Sequence, residues 1–548
     1  MNRIHFSSAF SLLRPFARVM VLITLAIHSL TAHAVADDTS VPAFDILEYE
    51  IHGNTRLSDI DIERAVTPFL GLKKTLNDVE SARAALERVY RDAGYPTVVV
   101  SIPEQKVDEG VVQLAVTEGR VDRLRVKNAD YHPSSEIRKQ VPELAEGQVP
   151  YFPQMQRELD ALNQSPDMKI TPVLKPGRVP GTVEVNLEVD DQLPLHASVE
   201  LNNRQSVGTR PLRLSGSVRY DNLWQSGHTF GLTAQVAPQA PEQMKMLAAN
   251  YMLPVGAGGQ GLALYAVHSS SNVPGVTSVL NNSDVAGLRW IAPLPMRPNY
   301  AQSLSLGLDY KDIHKVESIV GGSATTTLQP AISYAPLVAA YNGTWLRDGA
   351  HTAFDATTTL GLRNLLGNSE TEFAAKRYGA SAQYAVLRVG AHDTETLGGQ
   401  WSFTGHLEAQ FASDLLLPNE QYAAGGVDTV RGYLDSEQTG DRALRISAEV
   451  RTPTRSLGDA SQPWRLTGLA FYDAAKLTSL QFDPWTGSSL PALNYYLRGV
   501  GLGLRLTGPK GLSLDLDLAR ALSDGGTGHD HTKSGDYRAH VRLLWEFL

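Results

Sequence analysis

From Leu193 to the C-terminus, apolar residues recur at every second position in segments of about ten residues, separated by Gly, Asn, Asp and Pro turns. In the segment 401–412, Trp401, Phe403, Gly405, Leu407, Ala409 and Phe411 fall on one side, and Ser402, Thr404, His406, Glu408 and Gln410 on the other. The segment 511–519 repeats the pattern, with Leu512, Leu514, Leu516 and Leu518 opposite Ser513, Asp515 and Asp517. Such a strand needs hydrocarbon on one face and water on the other. A soluble sandwich meets that demand by burying the leucines. A porin-like wall meets it by giving the leucines to lipid and the acids to a wet lumen. A single strand fits both.

The ends of the chain favour the wall. Arg3, Arg14 and Arg18 precede the apolar run 19–27, and Ala32-His33-Ala34 follows, with Asp37-Asp38 just beyond. This is the layout of a cleavable secretory signal over residues 1–36, cut after Ala34 or Ala36. The run is shorter than the ~20 residues of a spanning helix, and no later apolar run reaches that length. Anything that crosses a membrane here is therefore a barrel. At the other end Val541, Leu543, Trp545 and Phe547 alternate up to the C-terminus, as in the closing strand of outer-membrane barrels; the last residue is Leu548 rather than an aromatic. Mean hydropathy is only −0.18, because alternation averages out along each strand. The net charge of −9 gives no basic face for nucleic acid. With no cysteine, disulfides and Cys-ligated metals are excluded.

Residues 37–191 read differently. A strand over 44–51 is followed by a helix beginning at Ser58, with Asp61 as its capping-box partner, and by a second helix over about 77–93. That second helix carries Val79, Ala82, Leu86, Val89 and Ala93 on one face and stops at Gly94 and Pro96. Strands over 97–102 and 111–116 form a hairpin. The order then recurs: a strand over 121–126, helices over 134–141 and 151–164, and strands over 168–174 and 182–189. Two unrelated α+β domains would share this pattern. The repeated β-α-α-β-β unit, roughly 75 residues long, also resembles the POTRA (polypeptide-transport-associated) module, giving one over 37–118 and another over 119–191.

One stretch is more specific. Gly425-Gly426, Val430-Arg431-Gly432-Tyr433, Glu449 and Pro453 resemble the loop and following strand that mark the Omp85 superfamily. The resemblance implies that this loop folds back into the barrel and that its arginine meets an inward carboxylate in an F-x-D-x-G motif. Phe471-Tyr472-Asp473-Ala474-Ala475 stands at the matching place, with Ala475 where the family has glycine. Physically, an arginine inside a barrel needs a charged, bidentate partner. Arg431 could otherwise be a solvated loop cation, and Asp473 an acid that keeps a pore wet.

With two POTRA-like units before a single barrel, the chain is similar to the TpsB transporters of two-partner secretion, the haemolysin- and adhesin-secreting type. Asn202-Asn203-Arg204-Gln205-Ser206 and Asn222-Leu223-Trp224-Gln225-Ser226-Gly227 share that likeness. The resemblance implies a membrane β-barrel of about 16 antiparallel strands over 192–548, which allots about 22 residues to each strand and its loop. It also implies export of an unfolded partner exoprotein, captured in the periplasm, through an outer membrane whose lipid surrounds the wall. Many TpsB proteins carry an N-terminal plug helix; only a handful of residues precede the first strand here, so none is expected. An insertase of the same superfamily, which usually has more POTRA units, and a passive porin are the alternatives.

No enzymatic signature, nucleotide motor, cofactor or metal site is expected. Gly256-Ala257-Gly258-Gly259-Gln260-Gly261 matches a dinucleotide fingerprint but lies between two strands with no helix after it. His529, Asp530 and His531, near Asp524 and Asp536, have metal-ligating chemistry but sit in a Gly-rich loop that reads as a solvated surface.

Overall fold

The computed structural model describes residues 43–547 except 108, 164, 257–258, 271–281, 296, 321–323 and 460. The expected signal segment, and the stretch where a plug helix would lie, fall outside the described residues. The chain divides into an N-terminal unit and a barrel unit.

The first module of the N-terminal unit is built as its periodicity demands. Ser58 caps the helix Asp59–Val66 by accepting from the Asp61 amide, and its hydroxyl donates to the Asp61 carboxylate at 2.7 Å. Thr75 and Asp78 form a full capping box on the helix Leu76–Asp92. This helix ends where the Tyr95 amide reaches back to the Tyr90 carbonyl at 2.9 Å, with Gly94 in the left-handed region at φ +93°. Its buried face is Val79, Ala82, Leu86 and Tyr90. Tyr90 takes the place expected for Val89, and Ala93 is the exposed C-cap. The expected strand 44–51 is two strands. Phe44–Ile46 pairs with Gly71–Lys74, a strand that alternation does not reveal, whereas Glu48–His52 runs parallel to Val111–Thr117. The break falls at exposed Leu47. Val99–Ser101 completes this three-stranded sheet on the far side of Val111–Thr117.

A second three-stranded sheet has the same order. Arg120–Lys127 runs parallel to Thr182–Asp191, and Met168–Pro176 lies on the other side of Thr182–Asp191. The helices Ser134–Lys139 and Phe152–Leu162 lie between the first and second of these strands in the sequence. Val121, Leu124, Leu159, Val185 and Leu187 are buried.

The rest is a closed antiparallel barrel of sixteen strands. Two short pieces in the ring, Ile332–Tyr334 and Arg455–Leu457, extend the neighbouring strands Leu337–Arg347 and Arg442–Arg451 against the same partners. Consecutive strands are neighbours, and Tyr537–Glu546 closes the ring on Leu195–Asn202. That seam pairs only from Arg542↔Asn202 to Glu546↔Ser198. The hairpin of Trp464–Phe482 and Ser489–Thr507 is much longer, 19 residues per strand.

The alternation read from sequence is the alternation of the wall. Leu407 and Phe411 are 49% and 56% exposed, while Thr404 and Gln410 beside them are 5% and 1% exposed. Leu518 is 57% exposed and Asp517 only 3%. Several inward charges are paired: Arg505 holds Asp517 at 2.8 Å, Arg289 holds Asp309 at 2.6 Å, and Arg542 bridges Glu200 and Asp515 at 2.9 and 3.2 Å. On either side of the glycine-rich stretch, Lys245–Val255 and Gln260–Ser270 pair antiparallel up to Val255↔Gln260. The barrel sequence contains a helix that alternation hides. Glu370–Lys376, capped by Ser369 and Glu372, sits in the loop 361–384 with Phe373 buried. At seven residues it is too short to establish a period.

A loop folded against the inner wall

Residues 413–441 connect Ser402–Ala412 to Arg442–Arg451. Within them, Tyr422–Ala424 pairs with Gln438–Gly440 as a small hairpin. Gly425 and Gly426 turn its neck at φ +115° and +95°, a region that disfavours any Cβ. A side chain at either would meet the Leu434 carbonyl or Asp435. Thr429 ties the turn by hydrogen bonds with the amide and carbonyl of Gly425, at 2.8 and 2.9 Å.

This frame presents Arg431 to the wall. Its backbone amide, Nε and Nη2 donate to the Asp473 carboxylate at 3.1, 2.7 and 3.0 Å, and Nη1 donates to Glu449 at 2.8 Å. The guanidinium carbon lies 3.4 Å from the centre of the Phe471 ring, a cation–π contact. Ser447 donates to Asp473 at 2.6 Å, and Arg451 donates to Glu449 at 2.6 Å. Strand register explains the convergence. Ser447 pairs with Asp473 and Glu449 with Phe471 across two adjacent strands, so four inward side chains form one patch. Arg431 is 6% exposed and Asp473 1%. Charges this deep are tolerable only when every donor and acceptor finds a partner. Two guanidinium groups against two carboxylates meet that condition.

The loop backbone itself lies on the wall. Gly499, the cross-strand partner of Asp473, leaves room for the Arg431 carbonyl; a Cβ there would collide with it. The Gly432 amide donates to His540 Nε2 at 3.0 Å. The Tyr433 hydroxyl is within reach of the carbonyls of Arg498 and Ser523, at 2.9 and 2.7 Å, and accepts from both amides. Val430 and Tyr433 are fully buried with Ala475, Leu477, Leu497 and Ala521. Ala475 thus fills apolar space, and the close approach of the loop backbone to the wall falls at Gly499. Around the rim of the loop, Arg204 pairs with Asp428 at 2.6 Å, and the Asp435 amide donates to the Gln205 carbonyl at 2.8 Å.

The structure therefore brings together Val430, Arg431, Gly432, Tyr433, Glu449, Phe471 and Asp473, with Gly425 and Gly426 at the hairpin neck. Sequence reasoning omitted Ser447, Gly499 and His540. Two signals were available: Ser447 shares the inward parity of Glu449, and Gly499, Gly501 and Gly503 alternate. The anchoring of the loop's root carried no such signal. Arg377 from the loop 361–384 clasps buried Asp441 at 2.5 and 2.9 Å, and Glu420 takes Lys311 and Tyr334 at 2.5 and 2.7 Å. His531 lies 3.5 Å from Glu437, whose carboxylate also accepts from Thr532.

Comparison with known proteins agrees with this architecture. The family model of the ShlB-type POTRA domain matches residues 44–119, and that of the haemolysin secretion/activation protein ShlB/FhaC/HecB matches residues 181–506. The outer membrane transporter CdiB of Dickeya dadantii (strain 3937) is 21% identical over 462 residues, 82% of this chain and 79% of that protein. The heme/hemopexin transporter protein HuxB of Haemophilus influenzae is 19% identical over 470 residues, 83% and 79% of the two chains. The solved CdiB of Escherichia coli superposes with a TM-score of 0.63 at 20% identity, covering 93% of this chain and 92% of that one. BamA from Haemophilus ducreyi lacking POTRA domains 1–3 superposes at 0.55 and 14% identity, over 92% and 100%. A barrel of sixteen strands with a ShlB-type POTRA module before it, matched over more than half its length, makes this chain a member of the ShlB/FhaC/HecB haemolysin secretion/activation family, the outer-membrane transporters of two-partner secretion.

Proposed function

We propose that the chain exports one unfolded partner exoprotein, of haemolysin or adhesin type, through its barrel, with Arg431 and Asp473 locking the loop that occupies the path. The observation that carries this reading is the nature of the lock. It is buried and fully paired, yet made only of hydrogen bonds, ion pairs and one ring contact between a loop and the wall. Such a patch can hold the loop firmly and still let it leave as a unit. We assign the second β-α-α-β-β sheet as a second POTRA module, on its strand order. Both modules have edge strands; Met168–Pro176, nine residues long, offers the longest ladder to an extended substrate. Folding of the substrate outside the cell supplies the drive, without ATP.

The relatives named as transporters favour this reading over insertion of other barrels into the membrane. Arg431→Ala should leave barrel assembly intact, judged by heat-modifiable mobility, and impair release of the partner; undiminished release would remove the lock from the proposal. Deleting residues 40–191 should abolish export. Proteomics of a strain lacking the chain separates the alternatives: loss of one secreted protein supports export, and depletion of many porins supports an insertase.

A further inference from the structure

On the outer face of the wall, at the long-loop end of three adjacent strands, one cross-strand row carries ligating side chains in place of apolar ones. His268 pairs in register with Asp284, Asp284 with Asp312, and Asp312 with Ser333. Leu288 and Trp290 share the outward parity of Asp284, and Leu306 and Tyr310 that of Asp312; all four are exposed. The row therefore continues the lipid-facing side of the wall beyond its last aromatic, into the rim whose loops face outward in barrels of this class. His314 follows directly on the strand Tyr300–Ile313.

The geometry is organised around one point. Asp284 Oδ2 lies 3.0 Å from His314 Nε2, which lies 3.6 Å from Asp312 Oδ2. Ligand atoms of Asp284, Asp312 and His314 all fall within 4.8 Å of one another. Donors bound to a zinc-sized ion at about 2.0–2.2 Å stand about 3–3.5 Å apart, so small side-chain rotations close the set. The other oxygen of each carboxylate is already held. His268 Nδ1 sits 2.7 Å from Asp284 Oδ1, and Ser333 Oγ donates to Asp312 Oδ1 at 2.7 Å. This is the outer-shell arrangement that orients ligating carboxylates in metal sites. One imidazole with two carboxylates suits a divalent transition metal and leaves coordination positions open to water.

We propose that Asp284, Asp312 and His314 form a binding site for a divalent transition metal of the zinc class, oriented by His268 and Ser333, that clasps two wall strands together at the outer rim. The alternative is a solvated network in which protonated histidines merely pair with the acids. Zinc titration of untagged, chelator-treated full-length protein in micelles, followed by calorimetry, separates the two. The expected result is one rim site per chain, lost or weakened more than tenfold by His314→Gln and by Asp284→Asn. His268→Gln should weaken it by roughly ten- to a hundredfold, as outer-shell partners do. A second group, Asp167, His196 and Asp221, has ligand spacing as well, so His196→Gln serves as the control and should leave the rim site unchanged. Heat-modifiable mobility confirms that each variant is folded. X-ray absorption of the zinc-loaded protein should show a single imidazole among oxygen ligands. The proposal is overturned if zinc does not bind, if binding is unchanged in both His314→Gln and Asp284→Asn, or if it disappears with His196→Gln alone.

Discussion

The interior of the first N-terminal module and the interior of the barrel obey opposite rules. In the module, Leu86, Leu114 and Tyr90 are fully buried, and the helix Leu76–Asp92 turns its charges outward. In the barrel, the apolar cluster around Val430 and Tyr433 shares the inside with buried Asp473, Arg431, Asp517 and Gln410, while leucines and tryptophans cover the outside. The module is held by apolar surface withdrawn from water. The barrel is held by backbone ladders closed into a ring, so its inner face is free to carry charge. That freedom permits a loop to dock there through ion pairs. In a hydrocarbon core the same groups would be prohibitively costly.

The sharpest way to break this contrast is to make the barrel interior apolar at one point. Asp473→Ala removes the acceptor for three donors of Arg431 and for Ser447. Glu449 alone then faces Arg431 and Arg451 in a buried site. Breaking one partner of a buried pair costs about 3–5 kcal/mol. The loop 422–440 should become open to protease in intact, assembled barrels and export should fall. A loop as protected as in the parent would mean that Gly499, His540 and Tyr433 suffice to hold it. In the module the matching change is Leu86→Ala, which leaves a cavity in a rigid core and should cost about 2–5 kcal/mol. Hydrogen exchange of Leu76–Asp92 amides in the full chain measures it, and protection should fall by orders of magnitude.

The same contrast explains what could be read from the sequence. Period-two alternation is local, so lipid and lumen faces were legible strand by strand, as Leu518 beside Asp517 shows. The face of the helix Leu76–Asp92 was legible for the same reason, apart from Tyr90, whose polar end hides an apolar body, and Ala93, which falls past the end of the helix. The partnership of Arg431 with Asp473 was legible only through family likeness, because 42 residues separate them and register alone brings them together. Arg377 and Asp441, 64 residues apart, had no motif to announce them. Leu47 fits an uninterrupted strand by pattern, yet the backbone changes partners there, because alternation records faces and not neighbours. Ser369-x-x-Glu372 was a readable cap for the short helix that periodicity missed.

A milder test acts on space instead of charge. Gly499→Ala keeps every partner of the lock but places a methyl group where the Arg431 carbonyl lies. Overpacking of this kind costs about 1–3 kcal/mol. The loop should loosen less than in Asp473→Ala, with protease sensitivity between that of parent and charge variant. If Gly499→Ala equals Asp473→Ala, backbone seating holds the loop as strongly as the ion pairs do.

The smallest effect belongs to the substitution that is severe in the module, moved to the barrel's outer face. Leu518 points away from the lumen, beside inward Asp517. Leu518→Ala leaves no cavity, because fluid acyl chains close over the shortened side chain. A strand that opens locally within the membrane still has that side chain in hydrocarbon, so the transfer contribution cancels as well. Exchange of Leu512–Ala521 amides in vesicles should change by no more than about 0.5 kcal/mol, as surface substitutions do. The cavity contribution that burdens Leu86→Ala is then the difference between two identical replacements read by one method. Loosening at Leu518 comparable to that at Leu86 would show this face packed against protein, and the assignment of outside and inside along the Leu512–Ala521 strand would have to be reversed.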